Sequence, residues 1–141
     1  MRKLTTNEKV YLAGVLDFSG KIELERQNPN DTFAGLKITL YGENVPVLSY
    51  LKSITDVGQV VRIYHSHKLN EVSGGIWKVK NNKDCIAILK AILPYVKNSK
   101  KYTHAKYLID NFLGVSKKGR YNEKQTIQRL SMEEGFFRLL I

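Results

Sequence analysis

A single cysteine, Cys85, rules out an intramolecular disulfide and suits a reducing cytosol. Set in "KDCIAILKAIL", it reads as a small core residue and not as a nucleophile. Long hydrophobic runs are missing as well. No segment reaches the ~18 consecutive apolar residues of a membrane span, and the opening "MRKLTTNEKV" does not read as a signal peptide. There is no long basic amphipathic helix to hold the chain on a membrane surface. The expectation is a cytoplasmic protein, not secreted, with no membrane partner. The third shortage is negative charge. Against 13 Asp and Glu stand 23 Lys and Arg, a formal charge of +10 over 141 residues. Such an excess points to an anionic partner, and nucleic acid is the commonest soluble one. A charge that serves solubility alone is the alternative. With 43% hydrophobic residues, the length suits one domain with a real core, residues 1–141, and no internal repeat or low-complexity tract divides it.

The patterns along the chain alternate between helical and extended periods. Thr5 and Glu8 have capping-box spacing before an apolar run, which predicts a helix from about Thr6 to Ser19, stopped by Gly20. "KIELERQ" places Ile22 and Leu24 on one face and Lys21, Glu23, Glu25 and Gln27 on the other, a half-buried strand. "NPND" is a turn, and "TFAGLKITLY" completes a hairpin in which Lys37 and Thr39 share a face. "ENVPVLSYLKSIT" is a helix with Asn44 as cap and Pro46 in its first turn. Two more strands follow, "QVVRIYHSHKL" and "GGIWKVKN", with a turn around "NEVSGG". Then come a short helix over "NKDCIAILKAILPYV", a longer one over "SKKYTHAKYLIDNFLG", a basic connector and a terminal helix interrupted by Gly135. The expected class is α+β. The order is αββαββα, with a four-stranded antiparallel sheet covered by helices on one face, a core over about residues 5–113, and a C-terminal helical extension over about 116–141.

The stretch "LAGVLDFSG", Leu12 to Gly20, resembles the signature of the LAGLIDADG homing endonucleases. Leu12, Ala13, Gly14, Asp17 and Gly20 match it, and Val15 and Leu16 are apolar equivalents. The order of elements is similar to that of the family. So are "ITLYGENVPVLSYLKSITDVGQV" and "ILPYVKNSKKYTHAKYLID", which look like segments of its small single-motif members. The resemblance implies a homodimer with the motif helices at its axis, through Leu12, Ala13, Gly14, Leu16, Asp17 and Phe18. It also implies a saddle-shaped sheet in the major groove of double-stranded DNA. Catalytic carboxylates at the ends of the motif helices would share divalent metal ions near the scissile phosphates.

Two letters depart from the family. Ser19 stands where the motif has its acidic metal ligand, and a hydroxyl brings no charge to Mg²⁺. In a homodimer that one change removes both carboxylates. Asp17 lies two residues earlier, roughly 200° around the helix, and is not a substitute. Phe18 replaces the small residue that, four after Gly14, lets the motif helices approach. Ordinary core packing is the other reading of Phe18; otherwise it alters the helix crossing and the spacing between half-sites. The resemblance also places a lysine near the cleavage centre, which falls at Lys100 or Lys101; a basic pocket there also holds phosphate.

The candidate DNA contacts are Lys21, Glu25 and Gln27 on the first strand, Arg26 near the hairpin tip, Lys37 and Thr39 on the second strand, and Lys78 and Lys80 on the fourth. Glutamine can pair with adenine, lysine with guanine, and glutamate can accept from cytosine. Arg62, Tyr64 and Lys68 share one face of the third strand, a face that a one-residue bulge would swap. Lys117 and Lys118, with Arg120, form a basic loop for phosphate. A merely solvated sheet face is the competing reading. His65 and His67 project together from a strand, but no third ligand accompanies them, so no metal site is expected. His104 reads as a phosphate or solvent contact, and the aromatic residues, Tyr41 included, as packing.

The leading expectation is a sequence-specific duplex-DNA-binding protein, catalytically inactive and free of cofactor, that represses transcription by occupying its site. An active homing endonuclease using Mg²⁺ and an RNA-binding intron maturase are the alternatives. A structural or membrane-surface basic protein is the remaining class.

Overall fold

The computed structural model describes the backbone of residues 1–65 and 68–141, and the side chains of these except 65 and 68–71. Among the described residues the order is α1 (Thr6–Ser19), β1 (Gly20–Glu25), β2 (Gly35–Gly42), α2 (Val45–Thr55), β3 (Gln59–His65), β4 (Lys68–Val79), α3 (Asn82–Ile92), α4 (Ser99–Asn111) and α5 (Glu123–Leu139). The strands form one antiparallel sheet in the order β1-β2-β4-β3. This is the α+β arrangement that the patterning predicts.

α1 starts where the capping box puts it. The Thr5 hydroxyl accepts from the Glu8 N–H, and Glu8 accepts from the Thr5 N–H in return. Gly20 ends it, though not through the left-handed conformation usual for a helix-ending glycine. Gly20 has extended dihedrals, φ −86° and ψ 157°. A Cβ there would lie 2.4 Å from the Leu16 side chain, so the chain needs a bare residue to turn directly from helix into strand.

Period-two burial divides the sheet. Leu24, Leu36, Ile38, Leu40, Trp77 and Val79 enter the core, where they meet Leu12, Ala13 and Leu16 of α1, Leu48 and Leu51 of α2 and the apolar stripe of α3. The Trp77 indole N–H donates to the Val57 carbonyl at 3.1 Å, so the largest core side chain leaves no unpaired donor.

Two local expectations are corrected. "NEVSGG" is not a turn but part of β4, which begins at Lys68. Its glycines serve a bulge: Gly74 has φ +151°, and a Cβ there would sit 2.8 Å from the Gly42 carbonyl oxygen. Gly135 does not interrupt the last helix, because α5 runs through it. It is bare because the Tyr107 hydroxyl, hydrogen-bonded to the Met132 carbonyl at 2.7 Å, lies against it. Met132 and Phe136 of α5 belong to the same buried cluster as Phe112 and Leu108, so the terminal helix packs into the core.

α5 is fastened by charge as well. Arg129 and Glu133, both buried, are paired at 3.1 Å. Together they clasp the backbone of Ala34, which leads into β2: Arg129 donates to its carbonyl and both Glu133 oxygens accept from its N–H. The guanidinium also lies over the Phe112 ring, 4.4 Å from its centroid. The helix after the basic connector thus holds the loop end of the β1–β2 hairpin.

Candidate nucleic-acid interface

The sheet face turned away from the helices carries Lys21, Glu23 and Glu25 from β1, Lys37, Thr39 and Tyr41 from β2, and Ile76 and Lys78 from β4, with Lys80 just beyond. The register sets them in rows. Lys21 pairs with Thr39, Thr39 with Lys78, and Lys78 with Gln59, so one polar row crosses all four strands. Ser19, Lys21, Glu23, Lys37, Thr39, Tyr41, Ile76 and Lys78 line an open groove of about 300 Å³. The end of α1 therefore opens onto the floor of the sheet. At the hairpin end Lys37 is paired with Glu25 at 2.9 Å. The hydrogen bond and charge of Lys37 hold the Glu25 carboxyl below its ordinary range, helped by the charges of Lys80 and Lys78.

α1 has two faces. Leu12, Ala13 and Leu16 are buried in their own protomer, so they are not the dimer surface that the motif as a whole suggested. The opposite face holds Val10, Tyr11, Gly14 and Phe18, all exposed, with Phe18 92% exposed. A Cβ at Gly14 would meet nothing within 4 Å. Nothing within the protomer requires a glycine there, nor does the core use Phe18.

The C-terminal end of α1 meets α4. Lys101 donates from Nζ to the carbonyl oxygens of Leu16 and Asp17, at 2.6 and 2.7 Å. An ammonium at this end suits the carbonyl pole of the helix. Burial pushes the Lys101 ammonium below its ordinary value, and the charge of Asp17 opposes the shift. Asp17 is itself engaged, its Oδ2 accepting from the Lys97 N–H at 2.7 Å. Lys101 is thus committed to the helix end, whereas Lys100 is exposed at the start of α4.

The sequence matches no protein-family model and no curated protein. Its backbone matches solved structures. The homing endonuclease I-CvuI, in complex with its target in the presence of calcium, superposes with a TM-score of 0.66 at 15% identity over 96% of this chain and 85% of that one. I-TnaI, another homing endonuclease, gives 0.56 at 15% over 94% and 95%. The archaeal intron-encoded homing endonuclease I-Vdi141I, complexed with DNA, gives 0.55 at 14% over 94% and 98%. The chain has the LAGLIDADG homing-endonuclease fold.

The homing-endonuclease fold implies a divalent metal ion, but the donors at the end of this α1 do not fit one. Ser19 offers a neutral hydroxyl. The neighbouring carboxylate, Asp17, has Oδ2 bound to the Lys97 N–H and Oδ1 buried without a partner among the described residues, so neither oxygen is open to the groove, and an ammonium already occupies the Leu16 and Asp17 carbonyls. Among the described residues no three His, Cys, Asp or Glu side chains cluster as a metal site would need. No helix among them is long and apolar enough to cross a membrane.

Several candidates fall elsewhere than the sequence suggested. Arg26 lies near the hairpin tip where the sequence puts it, but its guanidinium is spent on the loop itself, donating to the carbonyls of Asp31 and Thr32 at 3.0 and 3.3 Å. Arg62 pairs with Gly75 and shares the helix-side parity of Val60 and Trp77, so β3 presents Gln59, Val61 and Ile63 to the groove face instead. Tyr64 follows a register shift and pairs with Val72, away from the groove residues. The side chains of Lys68 and His65 lie outside the described residues, as does His67. His104 binds the Leu139 carbonyl at 3.1 Å and packs edge-on to Phe136, joining α4 to α5. Gln27 and Lys80 border the concavity beside Glu25, with Lys117 on the cleft next to it, while Lys118 is exposed. Tyr41, read as packing, is 51% exposed on the groove floor. Continuing the alternation of Lys37 and Thr39 by one step would have found it.

Proposed function

We propose that this chain binds duplex DNA sequence-specifically as a homodimer, does not cut it, and represses transcription by occupying a pseudo-palindromic site. The observation that carries the reading is the row Lys21–Thr39–Lys78–Gln59 across a groove that begins at Ser19. Lysines supply the sequence-independent attraction to phosphate, while threonine, glutamine and lysine are side chains that read base edges in a major groove. A formal charge of +10 favours the encounter.

The dimer reading is supported by α1. A 92%-exposed phenylalanine one turn after a bare glycine forms a knob and a hole on one helix, which suits a two-fold contact with a second copy. The wide side chain at Phe18 sets a larger separation of the two α1 helices than a small residue there would allow. Loss of cleavage is supported by Ser19 and by the Lys101 ammonium at the helix end, since two-metal phosphodiester hydrolysis needs anionic oxygen ligands. The place of action is then the cytoplasm, on the cell's own DNA.

Genome-wide mapping of bound DNA followed by footprinting of the best site tests the proposal. A symmetric footprint of roughly two helical turns, within a promoter, is the expected result. Binding without sequence preference, or preferential binding to a folded intron RNA, would overturn it.

A further inference from the structure

Glu25 is an acid on a basic face, and its surroundings explain how it can stay there. It ends β1 opposite Gly35, which has no side chain to cover it. The carboxylate leans diagonally to Lys37, two residues along β2, with Oε2 2.9 Å from Nζ. Gln27 and Lys80 close the other sides of a concavity of about 80 Å³. Half-exposed ion pairs of this kind add little to stability, so stability does not account for the arrangement. In a groove that meets DNA, an unaccompanied carboxylate would repel phosphate. One bonded to Lys37 at 2.9 Å, with the charges of Lys80 and Lys78 acting on it, instead presents an acceptor beside a donor.

We propose that Glu25 and Lys37 act as one couplet that reads a G·C base pair in each half-site. The carboxylate accepts from the cytosine amino group, and the ammonium donates to guanine O6 and N7. In the major groove a G·C pair offers two adjacent acceptors followed by a donor, and Lys37 beside Glu25 offers donors followed by an acceptor. An A·T pair places its donor between two acceptors, which leaves the carboxylate facing thymine O4. Lys80 and Lys78 hold the local charge positive, so the acid contributes discrimination without repelling the duplex. This inference rests on the duplex-binding reading above.

Selection of binding sites from a pool of random duplexes tests it, with the full chain as wild type, Glu25→Gln and Lys37→Met. Melting curves of the three proteins establish that all are folded. The wild type is expected to enrich sites with a G·C pair at one symmetric position of each half-site. Glu25→Gln, which keeps the size but pairs with adenine, is expected to shift that position alone towards A·T, with a loss of roughly 10- to 100-fold for the original base. Lys37→Met is expected to lose the guanine preference at the same position. Enrichment of one site by the wild type and the same preferences at every position in Glu25→Gln would overturn this inference and leave duplex reading intact. Enrichment of no sequence by the wild type would overturn both.

Discussion

The Lys101 ammonium donates to the Asp17 carbonyl oxygen, 2.7 Å away across 84 residues of chain, and to that of Leu16 as well. It closes the carbonyl end of α1 and ties that helix to α4. Lys101→Met is therefore expected to lower stability by about 1–3 kcal/mol in urea unfolding, from two charge-assisted bonds and a favourable helix-end charge. The pH dependence carries a sign. Burial lowers the Lys101 value in the folded state, so the unfolded chain binds the proton more tightly. The contribution of this group to stability then rises as pH climbs from the folded value towards 10.5. Lys101→Met removes that rise, and its stability should fall more steeply than wild type on the alkaline side.

Arg129 and Glu133 sit at 5% and 3% side-chain exposure and share the backbone of Ala34. Removing one partner strands a buried charge. Arg129→Met is expected to cost about 3–5 kcal/mol by chemical denaturation. The double variant Arg129→Met with Glu133→Leu should cost less than the sum of the two singles, because it leaves no unpaired ion. An additive double variant would show that the two side chains act independently.

Phe18 bears on assembly. Under the dimer proposal, Phe18→Glu places two carboxylates at the axis and should give a monomer in analytical ultracentrifugation, with no loss in thermal stability measured at protein concentrations too low for dimer. A variant that stays dimeric would move the contact away from this face of α1.

The cap of α1 gives an acid-side test. The Thr5 backbone N–H, and Arg2 beside it, hold the Glu8 carboxyl below its ordinary value of 4.5. A lowered carboxyl stabilises the fold fully above 4.5 and loses that contribution as pH falls through the folded value. Thr5→Ala is expected to cost about 1 kcal/mol at neutral pH. Glu8→Gln should flatten the acid limb of the stability curve, followed by circular dichroism melting between pH 3 and 6 on the order of the carboxylate range.

What the sequence made legible was local. The capping box of Thr5 and Glu8, the alternation of Lys21, Lys37 and Thr39 against Ile22, Ile38 and Leu40, and the helix over Val47, Leu48 and Leu51 each depend on neighbours a few residues apart. What it hid was long-range or sat on two faces at once. Adjacent Gly74 and Gly75 look like a turn in isolation, yet they lie inside a strand whose bulge needs the close approach of Gly42. The pairing of β3 with β4 runs unbroken from Gln59 to Ile63, before the bulge, and its parity with Gly75 puts Arg62 on the other side of the sheet. As a run of letters the motif suggests one surface, but at 3.6 residues per turn Leu12 and Leu16 face away from Gly14 and Phe18. No local pattern announces that Lys101 reaches Asp17, or that Arg129 and Glu133 reach Ala34, because each bond spans most of a domain.

The most direct test of the account is to incubate the purified protein with its footprinted duplex and Mg²⁺ or Mn²⁺, and to assay binding and strand breakage in the same tube. A protected, uncut duplex is expected, with occupancy unchanged when a chelator is added. Cleavage of either strand that the chelator abolishes would contradict it.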